Sequence, residues 1–232
     1  MYFKKAVPAA IMFSADYIGF EILTFMASFL GPIQMAANVC LFNYITIIFM
    51  LQIGLSMAAT TLVGNSIGAK NKVLAVAYSR GSMILGLMIM FCTTVITIIF
   101  RDSIPGLYTQ EKDVQDLFYK LIGIYVLFAM PDSLSVVLHG IIKGLGKQKW
   151  ASVACLICLY PINITQAYFL AFYLKLGVIG LWYSQMITIF LMLASYGTIY
   201  YYYCDLDDVI HEIETRSNKS KDEKEVDNND NI

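Results

Sequence analysis

The sequence predicts an all-α membrane protein with six transmembrane helices and an acidic C-terminal tail. Of its 232 residues, 58% are hydrophobic and only 14% are charged, whereas a soluble domain has about 45 to 50% apolar and about 25% charged residues. Uncharged runs of about 20 residues, long enough to cross the hydrocarbon core of a bilayer, also recur along the chain. The bilayer is therefore the expected solvent for most of the chain.

Six spans are predicted, separated by short segments that contain turn residues. The spans cover residues 6–30, 35–63, 75–100, 117–142, 151–174 and 177–203. The breaks between them contain glycine, proline or asparagine, for example Gly31-Pro32 and Pro105-Gly106, which favour turns. Because the connections are short, neighbouring helices are expected to run antiparallel, and residues 1–204 form one six-helix unit.

The distribution of Lys and Arg predicts that both ends of the chain lie in the cytoplasm, because basic residues in short loops are retained there. Eight fall on the inner side, namely Lys4, Lys5, Lys70, Lys72, Arg80, Lys143, Lys147 and Lys149. Four fall on the outer side, namely Arg101, Lys112, Lys120 and Lys175. Residues 205–232 are too acidic and too poor in apolar side chains to fold, so we expect a disordered cytoplasmic tail. A plasma-membrane and a vacuolar location both fit.

Enzymatic and nucleic-acid-binding functions are not predicted. The chain has no nucleophile with a base at useful spacing, no phosphate-binding glycine loop and no zinc pattern. Its five cysteines lie in or beside apolar runs, including the Cys155-x-x-Cys158 pair, and are interpreted as small hydrophobic residues. No cofactor is expected.

Three acidic residues lie inside apolar spans: Asp16, Glu21 and Asp132. A carboxylate at bilayer depth costs at least about 2.5 to 3.5 kcal/mol, so such a residue suggests a function. No Lys or Arg lies at a matching depth to neutralise these three. We therefore interpret them as binding sites for a proton or a cation. The alternative is a permanently protonated carboxyl that hydrogen-bonds a neighbouring helix.

Asp132 combines a mid-membrane position with a predicted helix break. Eleven residues separate it from Lys143 at the inner surface, and Asp16 is equally far from Lys5, so both lie roughly 16 Å above that surface at 1.5 Å per residue. Pro131 removes a helix hydrogen bond beside Asp132 and is expected to bend the helix. The freed carbonyl could help to bind an ion, and a packing kink without a ligand is the alternative.

Polar and aromatic side chains near these carboxyls are predicted to line a substrate cavity. They are Tyr17, Phe20, Asn43, Tyr44, Gln52, Tyr125 and Ser133. Aromatic faces beside a carboxylate suit a large organic cation, through cation–π attraction worth about 0.5 to 2 kcal/mol. Each aromatic residue taken singly is more typical of packing. Trp182 is interpreted as an interfacial anchor, and His139 as structural rather than as a proton relay.

Four segments, in order, resemble the multidrug and toxin extrusion family. The sequence QIGLSMAATTLVGNSIGAKNKVLA is similar to the family signature, a helix of small residues that ends in a turn, here with Gly68 and Asn71. DYIGFEILTFMASFLG resembles the family's seventh helix, and GVIGLW the start of its last. PDSLSVVLHGIIKGLGKQK resembles the tenth helix and the following loop, with Pro131 as a hinge and Gly144 in the turn. The resemblance covers about residues 1–204.

The resemblance implies the C-terminal lobe of an inverted-V transporter that exports organic cations or other xenobiotics in exchange for protons. Asp16, Glu21 and Asp132 would bind the proton or the cationic substrate, and Na⁺ remains a possible coupling ion. Because such transporters have about twelve helices in two lobes, a missing N-terminal lobe or a second copy is the expected partner. Two alternatives remain: a non-transporting fragment or assembly subunit, and a lipid-linked oligosaccharide flippase, which would need Lys or Arg in its cavity to meet phosphate.

Overall fold

The computed structural model describes residues 18–19 and 21–203, and every regular element in this part of the chain is helical. Helix α1 includes residues 21–28. The other helices are α2 (Pro32–Gly68), α3 (Lys72–Ile99), α4 (Ile104–Tyr108), α5 (Lys112–Gly144), α6 (Gln148–Ile157), α7 (Asn163–Tyr168) and α8 (Val178–Tyr203). Two π-helical turns, Cys158–Ile162 and Phe169–Tyr173, extend α6 and α7 into one continuous span.

Five of these segments are long and apolar enough to cross a bilayer. They are Pro32–Gly68, Lys72–Ile99, Lys112–Gly144, Gln148–Tyr173 and Val178–Tyr202. With α1 in the place of the first predicted span, the all-α membrane fold is confirmed. Part of the first predicted span, residues 6–17, and the predicted tail at 205–232 lie outside the described residues.

Helices α2 and α5 begin and end beyond the apolar runs from which their spans were predicted, whereas α3 and α8 end within one residue of theirs. Helix α2 begins at Pro32 rather than at residue 35, because proline suits the first turn of a helix. Helix α5 begins at Lys112 rather than at residue 117, and its first turn carries Asp113, which stabilises a helix N-terminus. A hydrophobic run marks the buried length of a membrane helix, whereas the hydrogen-bonded helix continues into the polar layer.

The turns after α2 and α5 close in the same way, with a backbone bond that reaches back five residues. The Asn71 N–H donates to the Ser66 carbonyl at 2.9 Å, and the Lys147 N–H donates to the Ile142 carbonyl at 3.1 Å. The Asn71 side chain then accepts a bond from the Leu74 N–H at 3.0 Å and caps α3. Gly68 and Gly144 are the last residues of their helices rather than the left-handed residues of the turns, and the left-handed residue in the second turn is Gly146.

Helix α5 lies at the centre of the bundle and packs against α2, α3, α6 and α8. In its most apolar stretch 56% of the residues are buried, compared with 17% to 44% in the other four spans. One hydrophobic cluster surrounds its first half at Phe118, Tyr125 and Phe128, and a second surrounds its last part at Val137 and Ile141. Side chains on α5 therefore face protein on most sides, whereas α2 and α3 present apolar faces outward.

Small residues let α2 and α5 approach closely along the C-terminal halves of both helices. Ser56 Oγ donates to the Val136 carbonyl and Thr60 Oγ1 to the Gly140 carbonyl, both at 2.8 Å. A Cβ atom added at Gly140 would overlap Ser56, and one at Gly144 would lie 2.7 Å from the Thr60 carbonyl oxygen. Close helix contact of this kind stabilises helix pairs in lipid. We call Ser56, Thr60, Gly140 and Gly144 the small-residue seam.

Candidate functional site

Asp132 lies inside α5, directly after Pro131, and its side chain is half-buried. Pro131 has no N–H to donate to the carbonyl four residues earlier, so the backbone ladder of α5 is interrupted at this level. Ser135 Oγ donates to the Pro131 carbonyl at 3.0 Å. Within the described residues no group forms a hydrogen bond or an ion pair with the Asp132 carboxyl. This carboxyl is therefore available to a ligand.

Beside Asp132, a buried polar network joins three helices. Ser133 Oγ donates to Gln52 Oε1 of α2 at 2.8 Å and lies 3.1 Å from the Gly86 carbonyl of α3. The Gln52 amide nitrogen lies 4.0 Å from the Met90 sulfur, a weak contact. Gln52 and Ser133 are 1% and 0% exposed. Because a buried amide left without a partner is costly, this network holds α2, α3 and α5 in one arrangement around the carboxyl.

Aromatic rings continue the site along α5, away from the network. Tyr125 and Phe128 precede Asp132 by seven and four residues, which places all three on one side of the helix. Tyr125 is 1% exposed and packs edge to face on Phe128, with ring centroids 5.5 Å apart. Phe128 stacks on Trp182 of α8 at 6.4 Å. Tyr44 of α2 is held by a hydrogen bond of 2.5 Å between its hydroxyl and Thr97 Oγ1.

The structure brings some predicted site residues together and separates others. Ser133 and Gln52 are in contact where α2, α3 and α5 meet, and Asp132 precedes Ser133 in α5, with Tyr125 two turns earlier on the same helix. Asn43 does not join them: it is exposed, and nine residues from Gln52 place it on the opposite side of α2. Glu21 is an exposed residue of α1. Three further predicted site residues lie outside the described residues, namely Asp16, Tyr17 and Phe20.

The described residues do not form a multidentate metal site at Asp132. Within residues 18–19 and 21–203 no three His, Cys, Asp or Glu side chains lie close enough together to hold a metal ion. The Pro131 carbonyl already accepts the Ser135 hydroxyl proton. Carbonyl oxygens exposed by a helix break, together with one carboxylate, are ligands that Na⁺ accepts.

A second polar cluster was missed by the sequence analysis, which considered polar residues only where they lie near the three acidic residues. Asn163 of α7 donates to Gln185 Oε1 at 2.9 Å, and Ser184 Oγ lies 3.0 Å from Asn163 Oδ1. The Trp182 indole N–H donates to Asn38 Oδ1 at 3.0 Å. All five side chains are at most 7% exposed. Isolated amides within apolar runs were the available signal, because polar groups are costly in a bilayer and need partners.

The interpretation of Trp182 as an interfacial anchor is wrong. Its side chain is 7% exposed and lies between Phe128 and Asn38. An indole is amphipathic, and a buried acceptor satisfies its N–H as well as an interfacial water does. His139 is also a core residue, because its ring stacks on Tyr196 with centroids 5.2 Å apart.

Comparison with known proteins identifies relatives of this chain. Residues 8–169 match the family model described as MatE. The chain is 34% identical over 179 residues to an uncharacterized transporter of Schizosaccharomyces pombe, an alignment that covers 77% of this chain and 33% of that protein. It is 29% identical over 181 residues to multidrug and toxin extrusion protein 1 of Oryctolagus cuniculus, covering 78% of this chain and 32% of that protein. The chain therefore spans about a third of the length of these relatives.

Solved structures have the same fold. The crystal structure of the eukaryotic MATE transporter AtDTX14 superposes with a TM-score of 0.85 at 22% identity, over 93% of this chain and 48% of that chain. An outward-facing multidrug resistance MATE family transporter of the MOP superfamily superposes with a TM-score of 0.79 at 22% identity, over 86% of this chain and 44% of that chain. The described bundle thus corresponds to somewhat less than half of each solved transporter.

Proposed function

The chain belongs to the MatE family of membrane transporters, and from this premise we propose that it forms one lobe of an antiporter that exports organic cations and other xenobiotics in exchange for protons. Members of the family are transporters rather than enzymes. One observation carries the proposal: the Asp132 carboxyl lies within α5 beside a proline break, without a hydrogen bond or ion pair to any described residue. Such a group is costly in a bilayer unless it binds something.

In the proposed cycle, a proton and a cationic substrate compete for the same carboxyl. When Asp132 is protonated it is neutral, and an organic cation has no negative charge to bind. When the proton leaves, the carboxylate attracts the cation. Because the two ligands exclude each other, a proton gradient in one direction drives substrate in the other. Asp16 and Glu21 are proposed as additional proton or cation sites.

A second lobe is needed to complete the cavity. The chain spans about a third of its curated relatives and less than half of the solved transporters. We propose that an N-terminal lobe or a second copy of this chain pairs with it, and that rocking of the two lobes exposes the carboxyl alternately to the two sides. Both chain ends are proposed to face the cytoplasm, from a plasma or vacuolar membrane.

A phosphate-carrying substrate, as in a lipid-linked oligosaccharide flippase, is less well supported. The basic side chains of the described residues lie in loops and helix ends, and most of them are exposed. Arg101, which is half-buried, donates to the Tyr119 carbonyl at 3.0 Å, with its guanidinium 3.8 Å from the centre of the Tyr119 ring. Among the described residues, no guanidinium or ammonium group thus lies beside the Gln52–Ser133 network to meet a phosphate.

The test is transport by the chain together with its second lobe in proteoliposomes. Uptake of tetraethylammonium, a quaternary ammonium ion, is driven by an imposed pH gradient and, separately, by an imposed Na⁺ gradient. We expect Asp132→Asn to lower the pH-driven uptake at least tenfold, because the amide cannot exchange a proton. Asp116→Asn, which alters an exposed acid on the same helix, should stay within about twofold of the parent.

Three outcomes would contradict parts of the proposal. Unchanged uptake in Asp132→Asn would remove the carboxylate mechanism. Uptake driven only by the Na⁺ gradient would replace the proton as the coupling ion. Absence of flux in the parent when both lobes are present would instead favour a non-transporting assembly subunit.

A further inference from the structure

The bundle end that carries the turns after α2 and α5 is basic, and we call it the basic end. Besides the lysines of the turns themselves, Lys143 in the last turn of α5 and Lys149 in the first turn of α6 are exposed there. The carboxyl groups of the described residues lie elsewhere. Asp132 lies inside α5, Glu21 lies in α1, and the others lie between residues 102 and 116, near the opposite end. Within the described residues, the positive charge of the basic end is therefore not balanced by a carboxylate.

The C-terminal end of α8 reaches the same end of the bundle. One hydrophobic cluster contains Ile67 of α2, Leu145 from the turn after α5, and Ile199 of α8. Ile199 is four residues, or about 6 Å of helix, before Tyr203, the last residue of α8. The chain that follows Tyr203 therefore starts beside the basic turns.

The sequence that follows α8 is acidic. Residues 205–232 contain ten Asp and Glu residues against four Lys and Arg. The first ten of them, DLDDVIHEIE, contain five of the acids and no Lys or Arg, and we call these residues 205–214 the acidic segment. Its aliphatic side chains recur at the spacing of one helix face, which leaves the five acids on the other sides. They are Leu206, Val209, Ile210 and Ile213.

We propose that the acidic segment binds to the basic end of its own chain, with its carboxylates at Lys143 and Lys149. The basic end also offers apolar surface to the aliphatic face of the segment, because Val73 in the first turn of α3 is 81% exposed. A charged segment of this kind gains order when it binds a partner of opposite charge. No step of the proposed antiport cycle uses these residues.

Anionic lipid headgroups are the other source of negative charge for these lysines. The acidic segment has two advantages over them. Its covalent link to α8 gives it an effective concentration on the order of 1 mM at the basic end, so a weak interaction is enough to keep it bound. An anionic bilayer surface also repels the segment, whereas the lysines attract it.

The first test is chemical cross-linking of the full chain in nanodiscs, in which both faces of the bilayer are accessible. A water-soluble carbodiimide joins a lysine to a carboxylate that it contacts, and mass spectrometry identifies the joined peptides. We expect Lys143 and Lys149 to be joined to residues 205–214. The cross-links should form in discs of phosphatidylcholine alone and in discs of phosphatidylcholine and phosphatidylserine in equal amounts. Lys120 and Lys175, which are exposed near the opposite end, should not be joined to this segment.

The second test is proteolysis, because binding should protect the acidic segment. A glutamate-specific protease has two sites within residues 205–214, and mass spectrometry follows the release of the peptide beyond them. We expect the double variant Lys143→Gln and Lys149→Gln to be cut at these sites at least fivefold faster than the parent chain. The matched control, Lys120→Gln and Lys175→Gln, removes the same charge at the opposite end and should stay within about twofold of the parent.

The proposal is overturned if no cross-link joins the two lysines to the acidic segment, or if the two double variants are cut at equal rates. Cross-links confined to the discs without phosphatidylserine would also overturn it, because anionic lipid would then occupy the basic end. Neither test depends on transport. Unchanged tetraethylammonium uptake in Asp132→Asn would therefore remove the carboxylate mechanism and leave this proposal standing.

Discussion

The Ser133 hydroxyl of α5 donates to the Gln52 side chain of α2 and lies near the Gly86 carbonyl of α3. These contacts hold the three helices together. Ser133→Ala leaves the buried Gln52 Oε1 without its donor, which should lower the free energy of unfolding by about 1 to 3 kcal/mol. The measurement is an SDS titration in mixed micelles. Thr61→Ala is the control, because Thr61 is exposed on α2 and bonds only its own helix, and the change should be within about 0.5 kcal/mol. Equal effects of the two substitutions would contradict the structural importance of the network.

At the scale of single residues, the sequence predicted polar groups at mid-membrane depth better than it predicted their partners. Gln52 and Ser133 were predicted to share a cavity, and the structure places them in contact. Asn43 was placed with them from its distance along the chain, yet its angular position on α2 points it away. Trp182 was assigned to the interface because tryptophan is enriched there. Its buried acceptor, Asn38, is 144 residues away in the chain, and no local pattern reveals such a pairing.

At the scale of helices, the small-residue seam sets the distance between α2 and α5. A methyl group at Gly140 would overlap both the backbone and the hydroxyl of Ser56, and helix backbones cannot yield as a flexible side chain can. We expect Gly140→Ala to cost about 1 to 3 kcal/mol, the range for overpacking a core, in the same SDS titration. Gly54→Ala on α2, which meets nothing within 4 Å, should be neutral or slightly stabilising, because alanine favours a helix.

Uptake of tetraethylammonium can be measured for the same two variants, Gly140→Ala and Gly54→Ala. The seam begins one turn beyond Asp132, at the Val136 carbonyl that accepts the Ser56 hydroxyl. Widening the seam should therefore also disturb the carboxyl, and tetraethylammonium uptake should fall in Gly140→Ala but not in Gly54→Ala. Unfolding free energies that are equal for the two variants would show that the helices separate easily and that the seam does not set their distance.

The irregular span between Gln148 and Tyr173 illustrates what an apolar run does not reveal. The sequence predicted one helix over 151–174, and the structure contains a helical span with two π-helical turns, one of them around Pro161. Proline interrupts the hydrogen-bond ladder, and a wider turn is one way to continue past it. Hydrophobicity indicates only that the segment is buried in lipid or protein. α-Helical and π-helical turns are equally compatible with that.

At the scale of the whole molecule, the number of spans followed from composition, but their arrangement did not. Helix α5 is the most buried span although it is no more apolar than α2 or α3. In lipid a hydrophobic side chain is equally well placed against a tail or against another helix, so hydropathy does not distinguish a central helix from a peripheral one. The glycines and hydroxyls of the seam were the better signal, because small residues indicate contact between helices.

The contacts along the seam also show which helix ends lie on the same side of the membrane. Ser56, Thr60 and Gly64 of α2 meet Val136, Gly140 and Gly144 of α5 in the same order, so the two helices run parallel. The basic turns that follow them, with Lys70 and Lys147, therefore lie at one end of the bundle. Arg101 lies at the other end, where it contacts Tyr119 near the start of α5. Basic residues concentrate at the first of these ends, which we expect to be cytoplasmic.

Single cysteines at the two ends test this orientation. In a Cys204→Ala background expressed in bacterial spheroplasts, Ser103→Cys, which is exposed before α4, should react with a membrane-impermeant sulfonated maleimide. Ala69→Cys, which is exposed after α2, should react only after permeabilisation, because its turn is held at the cytoplasmic side by the neighbouring lysines. The exposed Cys92 lies within α3, where a charged reagent does not reach it, so the background should remain unlabelled. Labelling of Ala69→Cys in sealed spheroplasts would show that the bundle has the opposite orientation in the membrane. The lysine-rich turns after α2 and α5 would then face the outside, against the distribution of Lys and Arg.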